Sequence, residues 1–393
     1  MKVMFVSHVS NKYGAGRSLL NLIDGLQSKG VECYVVMPNQ GPMTEELENR
    51  GVEYSMVRLA YWASYGGRAW KKVAHAGRNL LAAASIIVKA WKWKADILYT
   101  NTSVTPVGAL AAHVLRKPHI WHIQEFGKED YQLTFDLGLR FTLRLIEKLS
   151  FRVILISEAL KGKYARHIPS QKLEVIYNGV SLSNSGCGDS NGSRSLGESQ
   201  IPTLVIVGLL HPGKGQIDSV LAVTELAKKG INVKLKIIGA GDADYISKLK
   251  QVAFTSGVSS AVEFVGHVDN PVSIVNSADM VLMCSRSEAF GLVTVEGMLS
   301  KKPVIGSRSG ATPELVKEGF NGLLYEPGDY RELAEKIQYL INHAEEAWQM
   351  GRKGFEWALL EFTTERCAGK VFNVLREAME GAKRKRRVSE KLH

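Results

Sequence analysis

Short apolar runs alternate with amphipathic segments along almost the whole chain, and that alternation leaves few folds open. Val3–Val6 reads as a strand, and Arg17–Lys29 as an amphipathic helix stopped by Gly30. Glu32–Met37 is a strand closed by Pro38, and Met43–Arg50 a helix stopped by Gly51. Ile97–Thr100, His119–Ile123 and Val153–Ser157 continue as strands. Strands interleaved with helices in this way predict a parallel sheet with helices on both faces.

The pattern breaks once. Residues 183–200 are mostly Ser, Gly, Asn and Asp and have almost nothing to bury, so they read as an exposed flexible linker. Alternation then restarts. Thr203–Val207, Lys234–Ile238, Val262–Val265, Val281–Cys284 and Val304–Ser307 are strands, with helices over Gln216–Lys229 and Tyr245–Ser256. Thr312-Pro313-Glu314 reads as a helix start, with Thr as N-cap and Pro at the first helical position. A length of 393 residues exceeds one typical core. The expected class is therefore α/β, with two doubly wound units, residues 1–182 and 201–362, and a cleft between them.

Membrane-spanning and secreted classes are disfavoured. The start, Met1 to His8, has too short an apolar core for a signal peptide. The longest charge-free apolar run, Leu80 to Val88, is far short of a span. Cys33, Cys187, Cys284 and Cys367 are scattered, as expected for reduced thiols in a cytoplasmic protein. The net charge of +11 points to an anionic partner. Five cations lie in Lys383-Arg384-Lys385-Arg386-Arg387, in a basic tail over residues 382–393. Others cluster from Arg68 to Lys94 among Trp70, Trp91 and Trp93. One reading is a surface that sits on anionic lipid; the other is a set of core-facing helices with solvated lysines. The tail lacks interleaved aromatics, which argues against nucleic acid.

Chemistry concentrates in the nine residues from Glu288 to Glu296, where two carboxylates flank Phe290-Gly291-Leu292 at a strand-to-helix turn. Open α/β sheets bind ligands at such turns, and the helix N-terminus beyond Gly291 would offer free N–H groups to phosphate. The alternative is a pair of solvated surface carboxylates. The turn from Gly208 through His211-Pro212-Gly213-Lys214-Gly215 is a second phosphate candidate, although its spacing is not that of a Walker loop. Gly14-Ala15-Gly16 forms a third Gly-rich turn, but Leu19 stands where a dinucleotide fingerprint needs Gly, so hydride transfer is disfavoured. His122, Gln124 and Glu125 sit at the end of a strand and can reach the cleft; alternation puts His122 and Gln124 on one face. Asp242-Ala243-Asp244 is better explained by helix capping than by metal, and no required metal is expected.

These motifs, in this order, resemble the retaining nucleotide-sugar glycosyltransferases of family 4, which have the GT-B fold. The landmarks are the Gly14–Gly16 turn, Asn101-Thr102, Ser157-Glu158-Ala159, Asn178-Gly179, Gly208 with Lys214-Gly215, and Gly239-Ala240-Gly241. Gly266-His267, the Glu288–Glu296 run, Gly310-Ala311-Thr312-Pro313-Glu314 and Asn321-Gly322 complete the series. The resemblance implies a UDP- or GDP-sugar as co-substrate, no cofactor, and a glycan or lipid-linked acceptor in surface polysaccharide synthesis. It implies that Lys214 neutralises the diphosphate and that Leu292 and Val293 hold its phosphates, beside Phe290 and Gly291. Glu296 would bind the ribose, and the backbone at Gly266 and His267 the base. Gly14, Ala15 and Gly16 would approach the donor from the other domain. Glu288 would hold the sugar; with it, Gln124 at the family's His position and His122, a substitute two residues earlier, are the catalytic candidates. The C-terminal helix, 363–381, would cross back to the first domain.

Two departures stand out. The family usually has Arg after the Gly of the Lys loop, and Leu209 stands there, with Arg17 and Arg286 as the cations left to compensate. The family also often has His-Asp where Gln124-Glu125 stands. Both departures keep a second reading open: a catalytically weakened relative that binds nucleotide or a partner. A sugar-nucleotide epimerase of the same fold does not normally carry the Glu motif.

Overall fold

A computed structural model of the chain describes residues 1–64, 69–131, 133–182 and 201–390. The predicted linker 183–200 with Cys187, Arg68, and residues 391–393 lie outside the described residues. So do the side chains of Trp70, Lys71, Lys385, Arg386 and Arg387. The chain divides into two compact units: Met1–Gly179 with the residues from Thr364 on, and Val180–Thr363.

The first unit is built on a parallel sheet of seven strands among the described residues. Their order is Glu53–Met56, Glu32–Met37, Lys2–Val6, Ile97–Thr100, His119–Ile123, Arg152–Leu155, Leu173–Val175. Strand alternation divides the side chains of Lys2–Val6 between two cores. Val3 and Phe5 pack with Leu19, Ile23 and Leu26 of the helix Gly14–Gln27 and with Val371 and Leu375 of the last helix. Met4 and Val6 pack on the other face with Ile86, Ala90 and Trp93. Each fully buried Val, Leu, Ile, Phe or Met among them stabilises the unit by about 1.5–3 kcal/mol.

The last helix, Thr364–Glu390, belongs to this first unit. Ala368 packs so closely on Gly25 that a Cβ there would lie 2.5 Å from the alanine methyl. The helix also runs through most of the expected basic tail. No Gly or Pro follows Gly381, and cations are favourable near a helix C-terminus, so nothing local ends it there. The first helix also begins earlier than expected. Arg17 N–H bonds the Tyr13 carbonyl at 3.0 Å, which makes Gly14, Ala15 and Gly16 its first turn, not a loop ahead of it.

The second unit has a parallel sheet of six strands among the described residues, ordered Val262–Gly266, Lys234–Ile238, Thr203–Val207, Met280–Met283, Val304–Ser307, Gly322–Tyr325. In both sheets the first three strands run outward from the first strand and the fourth returns to its other side, a Rossmann-like order. One local expectation is corrected here. Ala311, not Thr312, is the N-cap of the short helix Thr312–Leu315, and the buried Thr312 hydroxyl has no bonding partner among the described residues. Asp242 does cap its helix, accepting from Tyr245 N–H at 2.7 Å. No helix among the described residues is long and apolar enough to cross a membrane.

Two histidines lie inside the first unit. Burial lowers both the His119 and His122 pKa from 6.5 to about 3. Both are neutral in the folded state, whereas the unfolded chain takes up protons below about pH 6.5, so stability falls as pH drops from 6.5 toward 3. We expect the urea-unfolding free energy of the first unit to decline over that window. His122→Gln, which leaves Tyr99 a partner, should remove about half of the slope that the two histidines contribute; an unchanged slope would show that His122 is not held neutral.

Candidate functional site

In the second unit the strand order reverses between Thr203–Val207 and Met280–Met283, which pair directly (Leu204 opposite Met280). The Lys214 loop follows the first of these strands and the Glu288 run follows the second. Both loops therefore emerge at the same edge, where no crossover helix covers them.

They meet there. Lys214 Nζ lies 2.8 Å from Glu288 Oε2, and Ser285 Oγ donates to the same oxygen at 2.8 Å. The Glu288 side chain is 14% exposed and that of Lys214 31%, so the pair is partly withdrawn from solvent yet open on one side. Bonds between ionised groups at this distance are about twice as strong as neutral ones and hold both side chains in place.

Two glycines make the meeting possible. At Gly215, with φ +65°, a Cβ would lie 2.0 Å from the Cys284 carbonyl oxygen, so only Gly lets the Lys loop press against the end of the neighbouring strand. At Gly310, with φ +54°, a Cβ would lie 2.3 Å from the Glu288 carbonyl oxygen. The same carbonyl accepts from Ala311 N–H at 2.8 Å, so the loop after Val304–Ser307 clamps the backbone of Glu288. Arg286 N–H completes the frame by bonding the Gly213 carbonyl at 2.8 Å.

Gly291, at φ +98°, is the N-cap of the helix Leu292–Leu299. The N–H groups of Leu292 and Val293 lie in the first turn of that helix, where backbone donors lack intrahelical partners. Phe290 is 2% exposed, and its ring packs edge-on against Phe362, with centroids 5.9 Å apart. Glu296 lies inside the same helix and is half-buried. Gly266 and His267 end the outer strand Val262–Gly266; His267 is 3.3 Å from Asp269. Cys284 is beside the site, but burial pushes its thiol up to about 12, which removes it as a thiolate nucleophile.

Of the two cations named to compensate for Leu209, Arg286 has a partner of its own. Leu209 is 49% exposed. Arg286 Nη2 bonds Asp218 Oδ1 at 2.6 Å, and Asp218 is 2% exposed. The other Asp218 oxygen accepts from Tyr325 and from Gly328 N–H. Arg286 is thus committed to a buried carboxylate, and its charge is already balanced.

In the first unit the predicted residues are mostly internal. His122 is 1% exposed and bonds the Tyr99 hydroxyl at 2.8 Å through Nδ1, which places it in the core and not at a binding surface. Gln124 is buried in an amide chain. Its Nε2 donates to Asn101, its Oε1 accepts from Asn178, and Asn101 in turn donates to the Ala15 carbonyl. Gln124 therefore holds the first helical turn, Gly14–Gly16, against the strand ends. Glu125 accepts from the Thr102 hydroxyl and from both the N–H and hydroxyl of Ser103.

Sequence reasoning did not single out Ser285, or the roles of Gly215 and Gly310 as spacers. Their partners come from strands that are distant in sequence, so only the Ser285–Glu288 spacing left a local trace. It also passed over His8, at the end of the first strand, whose pKa is lowered by burial against the raising effect of Glu125.

Residues 13–184 match Glycosyltransferase Family 4, and residues 193–357 match Glycosyl transferases group 1. An uncharacterised glycosyltransferase of Methanocaldococcus jannaschii is 31% identical over 273 residues, covering 69% of this chain and 72% of that protein. A Campylobacter jejuni enzyme is 24% identical over 345 residues, covering 87% of this chain and 89% of that one. It is named as an N-acetyl-D-galactosaminyltransferase acting on a glycan attached to PP-undecaprenol. Among solved structures, Anabaena HepE with UDP superposes with a TM-score of 0.80 at 22% identity, covering 96% of this chain and all of that one.

Gly319 also has a left-handed φ, +72°, but nothing lies near its missing Cβ. Gly319→Ala should cost about 1–2 kcal/mol, the strain of a left-handed alanine. Gly310→Ala adds a backbone clash and should cost roughly 2 kcal/mol more. Thermal unfolding of the two variants tests this; equal losses would mean that the Gly310 contact with Glu288 is not tight.

Proposed function

Because this chain belongs to the GT-B glycosyltransferases of family 4 type, we propose that it moves a sugar from a nucleoside diphosphate sugar to a glycan or lipid-linked acceptor, with retention at the anomeric carbon. The observation that carries this reading is the Lys214–Glu288 contact at the mouth of a helix N-terminus. A departing nucleoside diphosphate gains negative charge in the transition state. An ammonium and two free N–H groups aimed at it stabilise that state more than the ground state.

In this reading Lys214 meets the diphosphate, and the N–H groups of Leu292 and Val293 hold its oxygens. Both bonds to Glu288 fall on Oε2, so Oε1 is the oxygen that accepts from a sugar hydroxyl. Glu288 is the catalytic residue of choice. His122 and Gln124 act through the packing of the first unit, because their side chains are enclosed there. Glu296 takes the ribose, and the backbone of Gly266 and His267 the base. The co-substrate is a UDP- or GDP-sugar; HepE, solved with UDP, supports this class. Charge compensation comes from the protein, with no metal. The acceptor belongs to a surface polysaccharide or a related lipid-linked glycan, as the name of the Campylobacter relative suggests. We place the protein in the cytoplasm, peripheral at the inner face of the cell membrane, on the strength of its basic first-unit surface.

A second reading has its own observation. Leu209 supplies no charge and Arg286 is tied to Asp218, so the Lys loop itself brings Lys214 and no second cation from Arg286 to the diphosphate. A catalytically weakened member that binds nucleotide fits that deficit.

Three outcomes separate the readings. Lys214→Ala and Glu288→Ala should each lower sugar transfer by roughly 10²–10³-fold with the fold retained, measured as product mass against time and checked by circular dichroism. Full activity in both variants would refute the site. Leu209→Arg should raise turnover if a second cation is what the site lacks. In a thermal-shift screen of nucleotide sugars, the true donor at about 100 times its Kd should add roughly 2.7 kcal/mol of apparent stability. A donor that binds but is neither transferred nor hydrolysed would favour the weakened relative.

A further inference from the structure

The helix Ala69–Lys92 buries one face and leaves a second apolar face in solvent. Asn79, Ala82, Ala83, Ile86 and Ala90 pack inward. On the opposite side Val73, Leu80, Leu81, Val88 and Trp91 are 74, 65, 74, 65 and 79% exposed. Their spacing follows the helical repeat, and exposed Gly77 and Ala84 fill the same line, so this is one continuous stripe of about 27 Å. The outer face of a surface helix is normally charged or polar, and a stripe this long marks an interaction site.

Cations border the stripe. Arg78 and Lys92 lie along one side of it and Lys72 along the other, all exposed. Between Glu53 and Asp96 the sequence carries eight Lys and Arg residues and no acid. A second apolar group adjoins the start of the helix. Asp136 accepts from Lys72 Nζ through its carbonyl at 3.2 Å and lies 3.1 Å from His75 Nδ1. Just beyond it Leu137, Leu139 and Phe141 are 52, 41 and 52% exposed. Arg140, Arg144 and Lys148 follow as an exposed row, one helical turn apart. The tryptophans divide accordingly. Trp93 is 6% exposed and stacks on Tyr34, whereas Trp91 projects into solvent.

The occupant must accept both features at once. A second copy of this face would bring cations against cations, because the sequence between Glu53 and Asp96 carries no acid and the Asp136 side chain is buried. A nucleic acid would use the cations but gain nothing from the aliphatic stripe. A bilayer rich in anionic lipid uses both, with apolar side chains at the acyl boundary and cations at the headgroups. We propose that the exposed face of Ala69–Lys92, with Leu137, Leu139 and Phe141, is the surface by which this protein docks on an anionic bilayer. This rests on the membrane part of the proposed function and narrows it to one face; it does not depend on which sugar is transferred.

The test is sedimentation of the full chain with vesicles of phosphatidylcholine alone, or with about one-third phosphatidylglycerol. The wild type should bind the anionic vesicles at least about tenfold more tightly than the neutral ones. Leu81→Glu with Val88→Glu should weaken that binding by at least about tenfold, and Arg78→Glu with Lys92→Glu should abolish the preference for anionic lipid. Both variants should keep their circular dichroism and their stabilisation by nucleotide sugar. Three results would overturn the proposal: no binding by the wild type at low salt, unimpaired binding by both variants, or a wild-type dimer in solution that Leu81→Glu dissociates. Vesicle binding without any stabilisation by nucleotide sugar would instead sink the donor site and leave the docking surface standing.

Discussion

In each unit the strand order reverses beside the first strand, and at that point the helices leave to opposite faces. The loops there are the ones no helix can cover. In the second unit this places the Lys214 loop and the Glu288 run side by side, although 74 positions separate them in sequence. The ion pair is a consequence of that reversal. Its closeness, however, depends on two missing side chains, at Gly215 and Gly310, because any Cβ there would push the three loops apart. The sheet supplies the place, and the glycines supply the distance.

The two units use the same arrangement for different ends. At the reversal in the second, charged side chains remain partly open, and the first turn of an eight-residue helix faces the same edge. In the first, the polar side chains close on one another. Asn101, Gln124 and Asn178 satisfy each other and hold the first helical turn, while Thr102 and Ser103 both donate to Oε1 of the buried Glu125. Buried amides and carboxylates that are fully bonded specify a geometry, whereas a half-open ion pair is available to a ligand.

Much of the fold was legible because buried parallel strands and their crossover helices leave strong local periods. Glu32–Met37, Ile97–Thr100, His119–Ile123, Thr203–Val207, Lys234–Ile238 and Val304–Ser307 lie where their apolar runs predicted. Boundaries failed where a tertiary contact decided them. The first helix starts at Gly14 because Gly16 lies against the Asn11 carbonyl, and Ala311 caps its helix because its N–H is taken by Glu288. His122 illustrates the limit for the site. Alternation correctly set it on one face with Gln124, but whether that face meets solvent depends on the last helix, from the far end of the chain, which packs into the same core.

By itself the sequence determined the kind of sheet, the positions of most strands, and the loops that carry Lys214 and Glu288, since these follow from hydrophobic period and from glycine placement. Only the tertiary structure decided which charges meet. It paired Arg286 with Asp218 and left Lys214 to Glu288, and it turned Trp93 inward and Trp91 outward. Such choices rest on distances across strands and helices remote in sequence. A local pattern states what a residue is; its partner is set by packing.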